Sequence, residues 1–329
     1  MYSSNKEFQE NIINKYLQDI NNIYMIQDYI ILESIEECDK IISEIFKDDN
    51  TDNKLIDKKR GNFSFLINEK YLLIAKNNEL KDIFNIIYKF MLILSKNISK
   101  NEIFIIMNIK EILSIINLIL IFNDNVTFYS LKKKILLLIL SKNEKKNLDE
   151  LITSEYYFTC VKNKKGRKSL ISWDYKYFLY TNFKNNIKHK KDENNKSFKI
   201  LNLLKDEINL IGIKENIFCY KEFILNDLEI IDEINTVESR NYHMWTYLRK
   251  VFNDIDKEGK IIIILYAFLL LRKSSFDYSA FSFIVNSKKS IPLNKEQLLS
   301  LVKEMKKACI IKYEQHKCYI DNIEKYIIN

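Results

Sequence analysis

The sequence predicts an all-α protein, organised as an α–α superhelix of helical hairpin repeats. First, the 329 residues include only four glycines and one proline, which leaves little turn chemistry for a β-rich fold. Second, long runs rich in isoleucine, leucine, lysine and glutamate place apolar residues at helical spacing. Third, one aromatic motif recurs four times along the chain. Together these observations predict a crescent of stacked helix pairs with little β-structure.

The recurring motif places a polar or small residue four positions before an anchor aromatic. The anchors are Tyr129, Trp173, Trp245 and Phe281, and the residues four positions before them are Asn125, Ser169, Asn241 and Asp277. The polar residue fits a helix N-cap, because its side chain can accept a hydrogen bond from a backbone N–H of the first turn. The anchors are 44, 72 and 36 residues apart. A period of about 34–45 residues with two helices per unit is typical of a helical hairpin array, and the longest interval contains an insertion.

Residues 1–100 are predicted to form a divergent N-terminal helical region. Apolar residues at helical spacing predict helices at Lys6–Ile20, Ile23–Phe46 and Glu79–Ser95. The segment Asn62–Ile74 is compatible both with a short strand pair and with a divergent helix. The sequence therefore leaves the fold of this region open.

Residues 101–290 are predicted to contain the four helix pairs, with a polar insertion near 184–215. The predicted pairs are Ile109–Phe122 with Asn125–Ser141, Leu148–Cys160 with Ser169–Phe183, Lys221–Asn235 with Asn241–Asp254, and Lys260–Arg272 with Asp277–Val285. The lysines, asparagines and acids at the start of the insertion cannot form a core. Its later part, Phe198–Tyr220, is compatible with an extra helix and a strand-like piece.

Residues 291–329 are predicted to be capping helices, because the terminal units of a helical array lose the repeat motif where their outer faces meet water. Pro292 stands at a helix boundary, just before a predicted helix at Asn294–Cys309. The last segment, Cys318–Ile328, is compatible with a helix or a strand.

Charge and cysteine usage limit the classes of function. The net charge of +8 comes from 52 basic and 44 acidic residues that are interspersed, which indicates a solvated surface with a mild basic excess, or a basic patch for an anionic ligand. No zinc-finger, basic-zipper or RNP-like motif is present, so we expect no nucleic-acid partner. The five cysteines show no metal-ligand pairing and predict reduced thiols in a cytoplasmic protein.

No membrane span is predicted. Met1 to Ile20 is polar and shows no signal peptide, and the most apolar run, Ile261–Leu271, is too short to cross a bilayer. The apolar helices Ile109–Phe122 and Ile261–Leu271 carry more apolar surface than one layer of hairpins buries, so we also expect an obligate protein partner.

The segment Arg240-Asn241-Tyr242-His243-Met244-Trp245 is the clearest copy of the motif. Asn-Tyr-x-x-Trp, followed within a turn by a basic residue, resembles the repeat of protein prenyltransferase α subunits, the helical halves of farnesyl- and geranylgeranyltransferases. The resemblance covers roughly residues 109–286. The unit around Trp173 matches less closely, and the units around Tyr129 and Phe281 are degenerate.

The resemblance implies a site for an isoprenoid diphosphate. Lys168, five positions before Trp173, matches a lysine that touches the diphosphate, and Tyr242 and His243 match a Tyr-His pair near the same group. Lys168 and His243 are therefore the candidate catalytic residues, and Lys168, Tyr242 and His243 are the candidate diphosphate-binding residues. A helix N-terminus suits such an anion. The residues alone also allow Lys168 to be one of several loop lysines and His243 to be a packed surface histidine.

The implied reaction transfers a geranylgeranyl or farnesyl group from its diphosphate to a cysteine thiol of a substrate protein. Zinc coordination generates the thiolate in such a reaction. No metal-ligand constellation is evident in this sequence, and the resemblance assigns the zinc, and magnesium where it is used, to a β subunit. The chain is therefore expected to be active only as a heterodimer.

Departures from the motif bear on the subtype. Family members that modify C-terminal CaaX boxes have a glutamine where this chain has Ile171, and a tyrosine where it has Val126. The resemblance then favours the Rab geranylgeranyl type, whose substrate is a Rab-type GTPase presented by an escort protein. The position three residues after the anchor is basic in the first two repeats, where it is Lys132 and Lys176. In the other two repeats it is apolar, Leu248 and Ile284.

The alternative function is a non-catalytic α-solenoid scaffold that binds peptide partners on a concave face. Tetratricopeptide units of that kind keep a period of about 34 residues with glycine and proline at set points, which this chain lacks. A basic RNA-binding helical protein is a third interpretation, and it rests on charge alone.

Overall fold

The computed structural model describes most of the chain from residue 98 to residue 312 and shorter pieces before it. The described residues are 28–32, 65–67, 71–75, 88, 91–92, 94–96, 98–100, 102–122, 124–142, 148–165, 168–187, 199–214, 222–237, 241–273, 277–312 and 325.

Helices dominate the described residues, as predicted for an all-α protein. They are α1 Glu102–Met107, α2 Ile109–Phe122, α3 Val126–Ser141, α4 Leu148–Lys165, α5 Leu170–Phe183, α6 Lys199–Leu203, α7 Lys205–Leu210, α8 Glu222–Val237, α9 Tyr242–Asp254, α10 Lys257–Lys273, α11 Tyr278–Ser287 and α12 Lys295–Lys312. Short 3-10 turns occupy Ile98–Lys100, Lys184–Asn186 and Lys288–Ser290. The helices of all four predicted pairs form where the apolar spacing placed them, while the superhelix stays a prediction.

The N-terminal region contains a small sheet. Its strands are β1 Asp28–Leu32, β2 Phe65–Ile67 and β3 Tyr71–Ala75, in the order β1-β3-β2, with β1 parallel and β2 antiparallel to β3. The prediction of a helix at Ile23–Phe46 is therefore wrong for the five residues of β1, because their aromatic and β-branched side chains suit a strand once a partner strand is present. Of the two alternatives for Asn62–Ile74, the strand pair forms.

Other predictions for residues 1–100 have a mixed outcome. The predicted helix Lys6–Ile20 lies outside the described residues. Within the predicted helix Glu79–Ser95, the positions that the structure describes from Tyr88 onward are helical. The prediction of a divergent N-terminal helical region therefore does not extend to the residues of the three strands.

The chain divides into two compact units, Met1–Lys162 and Asn163–Asn329, and the boundary falls inside α4. In the first unit α2 and α4 run parallel. Lys110 bonds Glu150 at 2.9 Å and Asn117 bonds Glu155 at 3.0 Å, and the ammonium of Lys162 lies 3.5 Å from the carbonyl oxygen of Ile121. Because the partners are 40, 38 and 41 positions apart in the same order along both helices, the two axes point the same way.

In the second unit α10 is the innermost helix. Every residue of Ile261–Leu271 is buried, because α7, α8, α9, α11 and α12 all pack against α10. The described side chains at the centre of α2 are buried as well, from Ile112 to Asn117. The described side chains at the centres of these two helices are therefore covered within the chain and give no support to the expected partner, which stays a prediction.

The later part of the predicted insertion near 184–215 contains two short helices, in agreement with the extra helix expected there. Within it, α6 and α7 bury Ile200, Leu204 and Ile208 in the core of the second unit. Gly212, with φ of +67°, ends α7 in the left-handed conformation that glycine adopts without strain. The side chain of Gln297 then donates to the carbonyl of Ile211 at 2.8 Å and ties this segment to α12. Apolar residues four apart signal these short helices, although charged neighbours obscure the pattern.

The predicted helix Asn294–Cys309 is confirmed as α12. Asn294 accepts a hydrogen bond from the backbone N–H of Gln297 at 2.9 Å, and the side chain of Gln297 accepts from the N–H of Asn294 at 3.1 Å. This reciprocal capping box satisfies two N–H groups at the start of the helix. The segment Cys318–Ile328 lies outside the described residues, apart from the helical Lys325. Among the described helices, none combines the length and the apolar character needed to cross a bilayer.

Candidate functional site

The polar residue of each motif copy caps a helix. Asn125 accepts from the N–H of Thr127 at 2.8 Å, Ser169 from Ser172 at 3.2 Å, Asn241 from Met244 at 3.1 Å, and Asp277 from Ser279 and Ala280 at 3.0 Å each. These bonds satisfy backbone donors that a helix leaves open at its start. The motif therefore marks the beginning of α3, α5, α9 and α11, as predicted.

Three of the four anchors are core residues. Tyr129, Trp173 and Trp245 are almost completely buried. Phe281 is only partly buried, and its neighbour Phe283 takes the central place, with its ring centroid 5.3 Å from that of Trp245. The prediction of Phe281 as the fourth anchor is therefore off by two positions, because the degenerate fourth copy carries two aromatics and the pattern does not say which one points inward.

The lysine three positions after the anchor makes a buried ion pair in the first two repeats. Lys132 of α3 lies 2.5 Å from Glu155 of α4, and Lys176 of α5 lies 2.8 Å from Asp227 of α8. Each pair thus joins the second helix of one predicted pair to the first helix of the next. In the last two repeats this position is occupied by a buried apolar residue, Leu248 and Ile284 respectively.

A neutral side chain completes each ion pair. Asn117 hydrogen-bonds both Lys132 and Glu155, and the hydroxyl of Tyr247 donates to Asp227. Burial lowers the pKa of Lys132 below its usual range, although Glu155 opposes that shift. These lysines are structural and do not face a ligand.

The helices α5 and α9 run parallel, side by side, within the second unit. The ring centroids of Trp173 and Tyr247 are 5.2 Å apart, Lys250 bonds Asp174 at 2.6 Å, and the hydroxyl of Tyr177 donates to Asp254 at 2.6 Å. The contacting residues are 74 to 77 positions apart and follow the same order along both helices. The N-termini of α5 and α9 therefore lie at the same end of the pair.

The candidate site residues belong to these two helix starts. Lys168 directly precedes the cap of α5, and Tyr242 and His243 are the first two residues of α9. The start of α9 therefore lies at the same end of the pair as Ser169, the cap of α5. His243 also stands four positions before Tyr247, on the face of α9 that meets α5.

The three candidate side chains differ in environment. Lys168 is exposed, and Tyr242 is 66% exposed. His243 is partly buried, with its ring centroid 5.7 Å from that of Tyr242. The Nδ1 atom of His243 is buried and has no hydrogen-bond partner among the described residues. Two helix N-termini, an ammonium and an imidazole at one end of a helix pair form an arrangement suited to an anion.

A further feature of the motif was not predicted. The residue directly after each cap is apolar or aromatic and exposed: Val126 (61%), Leu170 (44%), Tyr242 (66%) and Tyr278 (54%). The motif thus repeats an exposed large side chain at the first position of each of these helices. The signal was present in the sequence as a large side chain after each cap, but position in a helix alone does not reveal exposure.

No group of three or more histidine, cysteine and acidic side chains is arranged to hold a metal ion within the described residues. The assignment of zinc to a partner subunit stays a prediction. Comparisons of the chain with protein-family models, with curated proteins and with solved structures found no match.

Proposed function

We propose that this chain is the helical α subunit of a heterodimeric protein prenyltransferase. The observation that supports the proposal is the parallel packing of α5 and α9, which sets Lys168 and His243 at one end of the helix pair. A chain in which these residues were scattered would not support a shared anion site. The side-chain caps Ser169 and Asn241 stabilise the backbone at the starts of the two helices, next to Lys168 and His243.

In this proposal the site binds the diphosphate of an isoprenoid. The thiolate sulfur of the acceptor protein attacks the first carbon of the isoprenoid, a C–S bond forms, and the C–O bond to the diphosphate breaks with its electron pair on oxygen. Lys168 neutralises the charge that grows on the leaving oxygen. Because Nδ1 of His243 is buried, Nε2 is the ring nitrogen that donates to the diphosphate, and Tyr242 lies beside it.

The proposed partner is a prenyltransferase β subunit, which holds the zinc that generates the thiolate. Exposed Leu170 and Tyr242 at the starts of α5 and α9, and exposed Tyr278 at the start of α11, support a protein contact, because aromatic side chains are enriched at the centre of protein interfaces. The proposed acceptor is a Rab-type GTPase with its escort protein, and the proposed location is the cytoplasm.

The experiment is a single-turnover transfer assay on the complex of this chain with the β subunit of the same organism. Labelled geranylgeranyl diphosphate and a Rab-type GTPase with its escort protein are the substrates. Lys168→Ala should lower the chemical step by about 10²–10³, because one contact made in the transition state is lost. His243→Ala should act in the same direction but less, because a neutral imidazole carries no full charge.

The matched control is Lys257→Ala. Lys257 is an exposed lysine at the first position of α10, beyond the opposite end of α9. An unchanged rate for Lys168→Ala, or an equal loss for Lys257→Ala, would contradict the assignment of Lys168. Failure to form any complex with the β subunit, together with tight binding of unmodified peptides, would instead favour the scaffold function.

A further inference from the structure

The first unit carries a surface groove that the proposed function does not use. The groove has a volume of about 470 Å³ and lies between the turn Ile98–Lys100 with the start of α1 on one side and α3 on the other. Three serine hydroxyls, two lysines and the apolar Ile98, Leu137 and Leu138 are among its lining groups. The helices α1 and α3 contact each other beneath it.

Large apolar side chains protrude from both helices. Ile103 and Met107, one turn apart on α1, are 76% and 77% exposed. Leu137 and Leu140 on α3 are each 43% exposed. Exposed apolar side chains scattered singly are normal on a soluble surface. Here two stand one turn apart on α1 and two stand three positions apart on α3, and the two helices contact each other.

The same region is cationic. Lys96, Lys100 and Lys134 are exposed, and none of them forms an ion pair with a described residue. The one acid of the groove, Glu102, is neutralised by Lys142 at 2.9 Å. An approaching ligand therefore meets the two lining lysines, with Lys100 next in sequence to the lining Ser99, and no uncompensated negative charge among the described residues that line the groove.

We propose that this α1/α3 surface, formed by Lys96, Lys100, Lys134 and the four protruding apolar side chains, docks on an anionic membrane surface. The lysines bind acidic headgroups, and the apolar side chains enter the boundary between headgroups and acyl chains. A helical peptide in the groove would contact Ile98, Leu137 and Leu138 and would leave the apolar side chains of α1 uncovered, because they are not among the lining residues. Ile103 and Met107 instead project outward, which suits a broad fluid surface.

The test is sedimentation of the full chain with phospholipid vesicles. The chain should bind phosphatidylcholine vesicles that contain about 30% phosphatidylserine, and should not bind vesicles of pure phosphatidylcholine. Binding should weaken as the salt concentration rises. Each lysine near an acidic membrane strengthens partitioning by about five-fold, so Lys96→Ala with Lys134→Ala should weaken binding by about 25-fold. Leu137→Ser with Leu140→Ser should also weaken it, with the salt dependence preserved.

The matched control removes the same charge elsewhere. Lys257→Ala with Lys289→Ala, two exposed lysines of the second unit, should leave vesicle binding unchanged. Thermal melting of each variant checks that the fold is intact. Absence of binding to acidic vesicles, an equal loss in the control, or full binding by the leucine variant would each overturn the proposal.

Discussion

Lys132 and Glu155 have no exposed side-chain surface, yet they form an ion pair 2.5 Å long. Removing two charges from water is expensive, and only mutual attraction and added hydrogen bonds, here from Asn117, offset the desolvation. Lys132→Met should therefore lower the free energy of unfolding by about 3–5 kcal/mol, because Glu155 stays buried without its cation. Urea unfolding measures the loss.

The double variant separates pairing from burial. Lys132→Met with Glu155→Leu removes both charges together, and its stability should return close to that of the wild type or exceed it. A double variant as unstable as the single one would show that the ion pair itself, and not the orphaned carboxylate, holds α3 to α4.

Tyr177 offers a test by pH. Its hydroxyl donates to Asp254 at 2.6 Å, and this hydrogen bond, with smaller effects from burial and the negative charge, raises the pKa of Tyr177 to about 12. Because the folded pKa exceeds the unfolded value of about 10, the stabilisation is fully present below pH 10 and is lost as pH rises through 12. Tyr177→Phe should therefore lower the free energy of unfolding by about 1 kcal/mol below pH 10. Above pH 12 the substitution should not change it.

Equilibrium unfolding of wild type and variant across this pH range gives the comparison. Tyr242→Phe is the control, because the Tyr242 hydroxyl has no hydrogen bond to a described residue and no effect is expected at any pH. A constant difference between wild type and Tyr177→Phe up to pH 12 would exclude the bond to Asp254 as its source.

At the scale of elements, the cap of α9 carries both stability and the candidate site. Asn241→Ala removes the bond to the N–H of Met244 and should lower the free energy of unfolding by about 1 kcal/mol. Asn253→Ala, an exposed asparagine in the last turn of the same helix, should change it little. Denaturant unfolding measures both variants. Equal effects would mean that helix propensity, and not capping, decides the outcome.

Much of the helix content follows from the sequence, and the contacts between helices do not. The apolar spacing and the caps fix α2 and α9 almost to the residue, because both signals are local. The strand β1 was missed because its partner, β3, lies far along the chain. The pairing of α5 with α9 could not be predicted either, because the sequence of neither helix indicates which helix it packs against. Lys168 and His243 were thus predictable as residues, but the shared end of the helix pair on which they stand was not.

At the scale of the whole chain, the exposed residues after the caps predict how a partner would bind. Tyr242→Ser with Tyr278→Ser should weaken association with the partner subunit by at least about tenfold, because truncating a central interface aromatic costs more than about 1 kcal/mol. Both side chains are more than half exposed, so the melting temperature should not change. Sedimentation velocity of the mixture reports the complex. Leu210→Ser, at an exposed apolar residue of α7, is the control, and equal weakening there would contradict a local contact.

The enclosure of α10 also has a meaning for biosynthesis. Five helices cover its unbroken apolar run, and two of them, α11 and α12, leave the ribosome after it. Until those residues emerge, a nascent chain presents Ile261–Leu271 to its surroundings without its native cover. Apolar surface exposed in this way promotes aggregation. A ribosome-associated chaperone that binds apolar segments would therefore protect Ile261–Leu271 until α11 and α12 have emerged.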